Sequence, residues 1–530
     1  MKKSLIALLF SGATAAAGLA LCSGPAAPLA RAADAAAPAA APAKPVGAGP
    51  FDWPMWGRTP DRNMFTPEKN PPTDWDFDSG KNIKWKAHVG SKTYGNPVVV
   101  GGLVFVGSNN EAHYDKNILA DGGNELCFRE SDGKFLWQHY NAKLAAGRVN
   151  DWPQEGLCAT TLAEGDRIWY ATNRCEVVCY DIEPLRSGQG QPKEVWKYDM
   201  MGQLGVFPHN MTASSAAAHG DLIYIITGNG VDDTHKNVPA PRAPSIVCFN
   251  KNTGKVVWTA NPVGPNVLHG QWASVAIATV NGKTQVIAPL GDGWVYSFDA
   301  QTGDIIWKFD SNLKNTIYPT TRNELIATPV IWENRMYLAS GQDPEHGEGP
   351  GHLWCVDITR TGDVSLELDD RPKPKVGEEL IGPAGTRPGK PNPNSAVVWH
   401  FQKEDFNKDG KIQGKERMNR TISSVAIDPA TGLMFAPDFS GFVRCFDART
   451  GKPHWVYDME AAIWGSPLIA DGKVYVGDED GDVTIFECAD KLKEIATHNS
   501  GSPSYCSPVF ANGTLYVMNR EYLYAISEKK

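Results

Sequence analysis

Over most of the chain, apolar and polar residues alternate in short runs, the two-residue period of strands that bury one face. A run such as Val295-Tyr296-Ser297-Phe298 ends on Asp299, passes through a Gly turn and re-emerges as a strand carrying Trp307. Two further alternating runs precede it, so each unit predicts four strands. The Trp recurs at Trp85, Trp137, Trp196, Trp258, Trp307, Trp399 and Trp455, with Ile495 in the corresponding place of one weaker copy, which makes eight units. The intervals 137 to 196, 196 to 258, 258 to 307 and 399 to 455 are 59, 62, 49 and 56 residues, and the 92 between Trp307 and Trp399 require an insertion. Asp132-Gly133, Thr253-Gly254, Thr302-Gly303 and Thr450-Gly451 keep the same phase, Gly supplying the positive φ of a tight strand connection. Such a period predicts an all-β, eight-bladed β-propeller of four-stranded antiparallel blades, each burying its faces against its neighbours.

The two ends of the repeat complement each other. Residues 507–526 stop after a third strand, while residues 82–88 are a lone Trp-bearing strand. Their pairing closes the ring and removes the edges an open stack would present. Cys127, Cys179, Cys248, Cys355 and Cys445 share one phase near the end of the third strand, a place taken by Ser297 and Ala525 in other copies. The position calls for a small side chain. Equivalent places in adjacent blades lie about 10 Å apart, against roughly 5.5 Å between the Cα atoms of a disulfide, so these five are expected as buried thiols. Cys158, Cys175, Cys488 and Cys506 remain, and export predicts at most one or two bridges whose pairing the spacing leaves open.

Composition agrees with a large folded array. The 530 residues are 42% apolar and 21% charged, with 17 Trp and 52 Gly. Lys2-Lys3, the apolar residues 5–21 and the small-residue site Ala30-Arg31-Ala32 form the three-part pattern of a secretory signal peptide over residues 1–33. Leu21 before Cys22 argues against a lipid anchor. Residues 34–50 are an Ala/Pro-rich linker, and the propeller occupies 51–530. Removing Lys2, Lys3 and Arg31 takes the formal charge from −9 to −12, which repels phosphate backbones and excludes nucleic acid as a partner. With no second long apolar run, the mature chain is expected to lack a membrane span and to be periplasmic or extracellular.

Residues 295–307, ending in Ala300-Gln301-Thr302-Gly303-Asp304-Ile305-Ile306-Trp307, resemble the tryptophan-docking repeat of the pyrroloquinoline quinone (PQQ) propeller superfamily. The resemblance runs from Trp53 onward. That superfamily holds periplasmic alcohol dehydrogenases and non-enzymatic members such as BamB, the outer-membrane assembly propeller, so the repeat implies the fold and leaves activity open. Thr227-Gly228-Asn229-Gly230 looks like the dehydrogenase stretch whose Asn is a calcium ligand. The family's following His-Asp-x-Trp-Asp reads His269-Gly270-Gln271-Trp272-Ala273 here, and Ala cannot take a proton. Losing that base should cost several orders of magnitude in alcohol oxidation unless Glu155 or Glu324 substitutes. Gly291 stands where the enzymes place a basic residue, and there is no adjacent Cys pair.

Residues just before each first strand converge on one mouth of a propeller's channel. Asn229, Trp272, His269, Glu155, Glu324 and Trp464 are the candidate ligand-binding groups there. Separately, residues 405–416 fit the EF-hand calcium loop, with oxygens from Asp405, Asn407, Asp409, the Lys411 carbonyl, Gln413 and Glu416 and a turn at Gly410. Strand-like flanks replace the usual helices. The remaining insertions, 109–124, 231–244 and 362–394, read as surface loops. The expectation is an exported binding or scaffold propeller for a protein partner or small ligand, without redox turnover. The alternative is a PQQ- and calcium-dependent alcohol dehydrogenase with a rearranged base.

Overall fold

The computed structural model describes residues 49–369 and 388–528; the expected leader, nearly all of the linker and the middle of the 362–394 insertion lie outside the described residues. Eight antiparallel blades follow one another. The first runs from Val98–Val100 to Phe135–Ala142, the second from Leu162–Glu164 to Lys193–Asp199, the third from Ala217–His219 to Val256–Ala260 and the fourth from Ala276–Val280 to Ile305–Asp310. The fifth spans Val330–Trp332 to Val397–Phe401, the sixth Ala426–Ile427 to Pro453–Asp458 and the seventh Leu468–Ala470 to Glu494–Asn499. The eighth takes Val509–Ala511, Thr514–Met518 and Tyr522–Ile526 from the C-terminus, and Ile83–His88 completes it with Trp85 opposite Ala525. The two ends of the repeat thus share a blade, as the pattern predicts.

In seven blades the fourth-strand Trp stands across from the small third-strand residue: Cys127 faces Trp137, Cys179 faces Trp196, Cys248 faces Trp258 and Ser297 faces Trp307. Cys355 pairs in the same way with Trp399, and Cys445 with Trp455. The seventh blade corrects the expectation for Ile495. A bulge falls beside the pair in every blade, and it skips Ile495, so that Ala496 sits opposite Ile485. The larger residue of the pair, Ile485, is here on the third strand and the small one on the fourth.

Five of the girdle indoles dock on the turn of the next blade. Trp196 donates to Lys251 O (2.9 Å), Trp258 to Ala300 O (3.0 Å), Trp399 to Ala448 O (2.8 Å) and Trp455 to Ala489 O (3.0 Å). Trp85 reaches Glu130 O in the first blade at 2.9 Å, carrying the pattern across the ring closure. The turn glycine has a second reason beyond its φ of +76° at Gly303: a Cβ there would stand 2.7 Å from the Trp258 ring. Trp307 departs from the rule by donating to Gln285 Oε1 (2.8 Å), and Gln285 relays to Ile358 O (3.2 Å) in the fifth blade.

Residues 53–66 lie along the free inner edges of the first strands, an arrangement that lacks any periodic signal. Trp53 exchanges backbone bonds with Val99, and Pro54 O accepts from Ala163 N. Pro60, Asp61 and Met64 carbonyls accept from Ile277, Ile331 and Ile469, while the Asn63 amide bonds both backbone groups of Ile427. Fully buried Arg62 donates to Val275 O, Trp56 O, Ser215 O and Ala216 O at 2.7–3.1 Å. Seven blades therefore touch this one segment, which satisfies strand edges that would otherwise be bare.

All nine described cysteines are free, the five repeat-phase thiols among them fully or almost fully buried. Part of the 362–394 insertion is not a plain loop: Gly362–Asp363 adds a parallel fifth strand to the fourth blade, and Glu367–Leu368 pairs with Lys390–Pro391.

Candidate functional site: an aromatic channel mouth

Connections leading into the first strands meet around a cavity of about 370 Å³. Tyr94 stacks on Tyr505 (5.3 Å, 18°), Trp464 meets Tyr505 edge-on (4.9 Å, 63°), and Phe439 supports Trp464 from behind. Trp152, Trp272 and Trp56, the last from the axial segment, extend the aromatic wall. Glu155 reaches the same space while bonded to Lys92 at 3.0 Å; Asp343 and Glu345 also line it. Trp464 Nε1 is buried without a protein partner. Ring faces beside carboxylates suit a flat group bearing positive charge.

Behind this wall lies a cluster of imidazoles and acids from three blades. His209 and His269 precede the first strands of the third and fourth blades, whereas His235 sits in the 231–244 insertion. Asp343, Glu345 and His346 come from the connection after Arg335–Ala339 in the fifth blade. Ring centroids are 4.4 Å apart for His209 and His269 and 4.6 Å for His235 and His269. Burial, with His269 nearby, lowers His209 to about 4. Burial pulls His269 down as well, but Glu324, Asp343 and Glu345 together outweigh it and raise the ring. Burial lifts Asp343 to about 6.

Of the six residues singled out in the sequence, Glu155, Trp272 and Trp464 line the cavity. Trp272 is oriented by its N–H bond to His209 O (2.9 Å). Asn229, His269 and Glu324 sit behind the wall, each buried. Asn229 Oδ1 accepts from Phe207 N (2.9 Å) and its Nδ2 donates to Ala240 O (3.1 Å), so the amide pins backbone. Glu324 accepts from Gly270 N (3.3 Å) and Asp343 N (3.0 Å). Sequence reasoning missed His235, Asp343, Glu345 and His346 because it counted only positions preceding first strands; the dense run Asp343-Pro344-Glu345-His346 was the available signal.

These placements test the cation site of the quinone enzymes. The matched Asn229 is committed to backbone, Ala273 offers no donor, and of the two substitute acids only Glu155 reaches the cavity, held by Lys92. That donor set does not fit a quinone-bound calcium. In residues 405–416, Asp405 Oδ2 accepts from Gly410 N (2.9 Å), and buried Glu416 accepts from Phe406, Asn407 and Gln413 N–H groups. The loop closes on itself with its Asp and Glu oxygens turned inward to its own amides. A strand enters it and a single 3-10 turn, Gly414–Glu416, ends it.

Fold and mouth together define an eight-bladed propeller of the PQQ-like type. The chain belongs to the family described as "Outer membrane protein assembly factor BamB", whose model matches residues 242–386 and 392–529, more than half of the chain. Among curated proteins it is similar to a polyvinylalcohol dehydrogenase of Sphingopyxis sp., 24% identical over 49% of this chain and 36% of that protein. It is also similar to a tetrathionate hydrolase of Acidithiobacillus ferrooxidans, 22% identical over 52% and 60% of the two chains. The chain thus spans between about a third and three fifths of these relatives' length. Among solved structures, a quinohemoprotein alcohol dehydrogenase from Comamonas testosteroni superposes with a TM-score of 0.58 at 12% identity, covering 90% of this chain and 81% of that one. A europium-containing methanol dehydrogenase gives 0.57 at 12% identity, covering 90% and 98%. These likenesses show the fold. Among the described residues no helix is long and apolar enough to cross a membrane.

Proposed function

We propose that this protein is an exported binding propeller whose mouth holds a flat, positively charged group, presented by a small molecule or by a side chain of a partner protein, without redox turnover. The observation that carries this reading is the wall of Tyr94, Trp464 and Tyr505 with Glu155 beside it, and the commitment of Asn229 to backbone behind that wall supports it. Cation–π attraction contributes about 0.5–2 kcal/mol per favourable ring, enough for selective but reversible capture. The leader read in residues 1–33 supports export.

A quinoprotein dehydrogenase is the second reading, favoured by the cavity's flat Trp272 wall and by relatives named as dehydrogenases. Reconstitution of the purified chain with PQQ and calcium separates the two. No uptake, together with tryptophan fluorescence quenching by an aryl-ammonium probe that Trp464→Ala removes, is the expected result. Stoichiometric quinone uptake with dye reduction by alcohols would establish the dehydrogenase instead.

A further inference from the structure

The geometry points to a zinc-class divalent metal site formed by His209, His235, His269 and Glu345, separate from Asn229 and from residues 405–416. One ring nitrogen each of His209, His235 and His269 lies within 4.8 Å of the others. Glu345 Oε1 is 3.2 Å from His269 Nε2 and 3.3 Å from His235 Nδ1. Donors of a tetrahedral zinc with bonds of about 2.0–2.1 Å stand about 3.3 Å apart, so these two edges already have the required length. His235 lies on an insertion with a partly exposed side chain and can close its edges to His209 and His269, while Glu345, equally exposed, can swing toward His209.

The bonding of the rings selects their free atoms. His209 Nδ1 contacts Val231 O at 2.8 Å; a carbonyl only accepts, so Nδ1 carries the proton and Nε2 presents a lone pair. That Nε2 is buried without a partner, and both nitrogens of His269 lack a hydrogen bond although its side chain is fully buried. Buried polar atoms are rarely left so, and one cation would satisfy His209 Nε2 and His269 Nε2 together. His269 Nδ1 faces Glu324 Oε1 (3.6 Å) and Asp343 Oδ2 (3.9 Å), which leaves Nε2 turned toward Glu345. A carboxylate behind a ligating imidazole is the arrangement that fixes ring orientation and raises ligand basicity. His346, bonded through Nε2 to Tyr318 Oη (2.9 Å), stands outside the ligand set. Three imidazoles and one carboxylate favour a borderline ion such as Zn²⁺ over calcium or magnesium, which take oxygen donors.

The test uses the untagged mature chain, stripped with chelator and titrated with Zn²⁺ by calorimetry and with Co²⁺ by visible absorption. One equivalent of Zn²⁺ and a tetrahedral Co²⁺ spectrum are expected. His235→Gln, on an exposed insertion, should weaken Zn²⁺ by at least about tenfold while the melting temperature of the stripped protein stays unchanged. His269→Gln should abolish the Co²⁺ spectrum, and Glu416→Gln in the 405–416 loop should leave it intact. Absence of uptake, uptake indifferent to both histidine changes, or loss of the spectrum in Glu416→Gln would overturn the assignment.

Discussion

The outer girdle and the channel mouth use the same residue types for opposite purposes. In the girdle, Trp258 is almost fully buried, faces Cys248 and donates to the turn of the next blade. At the mouth, Trp464 keeps an unpartnered N–H and a ring face on an open cavity. One indole holds blades in register; the other has been left with bonding capacity to offer. Strand regularity in this repeat therefore marks architecture, while the candidate site draws on the connections before the first strands and on two interruptions, residues 231–244 and the connection carrying Glu345.

Substitutions can break this contrast, starting with the girdle. Trp258→Ala should cost about 3–5 kcal/mol in denaturant unfolding, chiefly through lost burial, since the Ala300 carbonyl keeps its bond from Tyr224 Oη. Next comes Glu125, whose carboxyl burial pushes up to about 8 against the bond it accepts from Thr161. An acid raised in the folded state destabilises progressively as pH climbs from the ordinary carboxylate range to its folded value. Glu125→Gln should accordingly raise stability by about 2–4 kcal/mol at pH 9 and leave it nearly unchanged at pH 4, as thermal melts at the two pH values will show. Gly303→Ala, forced to keep positive φ against the Trp258 ring, should cost about 1–3 kcal/mol by the same measure. Trp464→Ala belongs to the other side of the contrast: a shift below about 1 kcal/mol, with loss of probe binding at the mouth. Smallest is calcium at residues 405–416, where adding it to the chelator-stripped chain should raise the melting temperature by less than about 1 °C and Glu416→Gln should remove that response.

The girdle was legible because its rules are local: a two-residue alternation, a Gly turn and a Trp at fixed phase can be read within one blade. Even its error was local, since a bulge displaced Ile495 by one place and no residue type announces a bulge. The mouth was half legible. Trp272, Trp464 and Glu155 follow from blade phase, but the commitment of Asn229 to Phe207 and Ala240 depends on how two connections fold against each other. His235 and Glu345 are 110 residues apart in the chain and meet only because loops of different blades lean together. Residues 53–66 were illegible, since their partners are strand edges spread over the whole ring.

That hub segment makes the molecule's assembly a matter of all or nothing. Asn63 waits for Ile427, 364 residues later, and Arg62 for Ser215 and Val275, 153 and 213 residues later, so the segment cannot finish docking until most of the chain has been made. A half-built ring would leave it unmoored, and a chain truncated by one blade would forfeit both the hub and the shared eighth sheet. Blades of nearly interchangeable design are in this way tied into a single cooperative unit by the stretch that least resembles any of them.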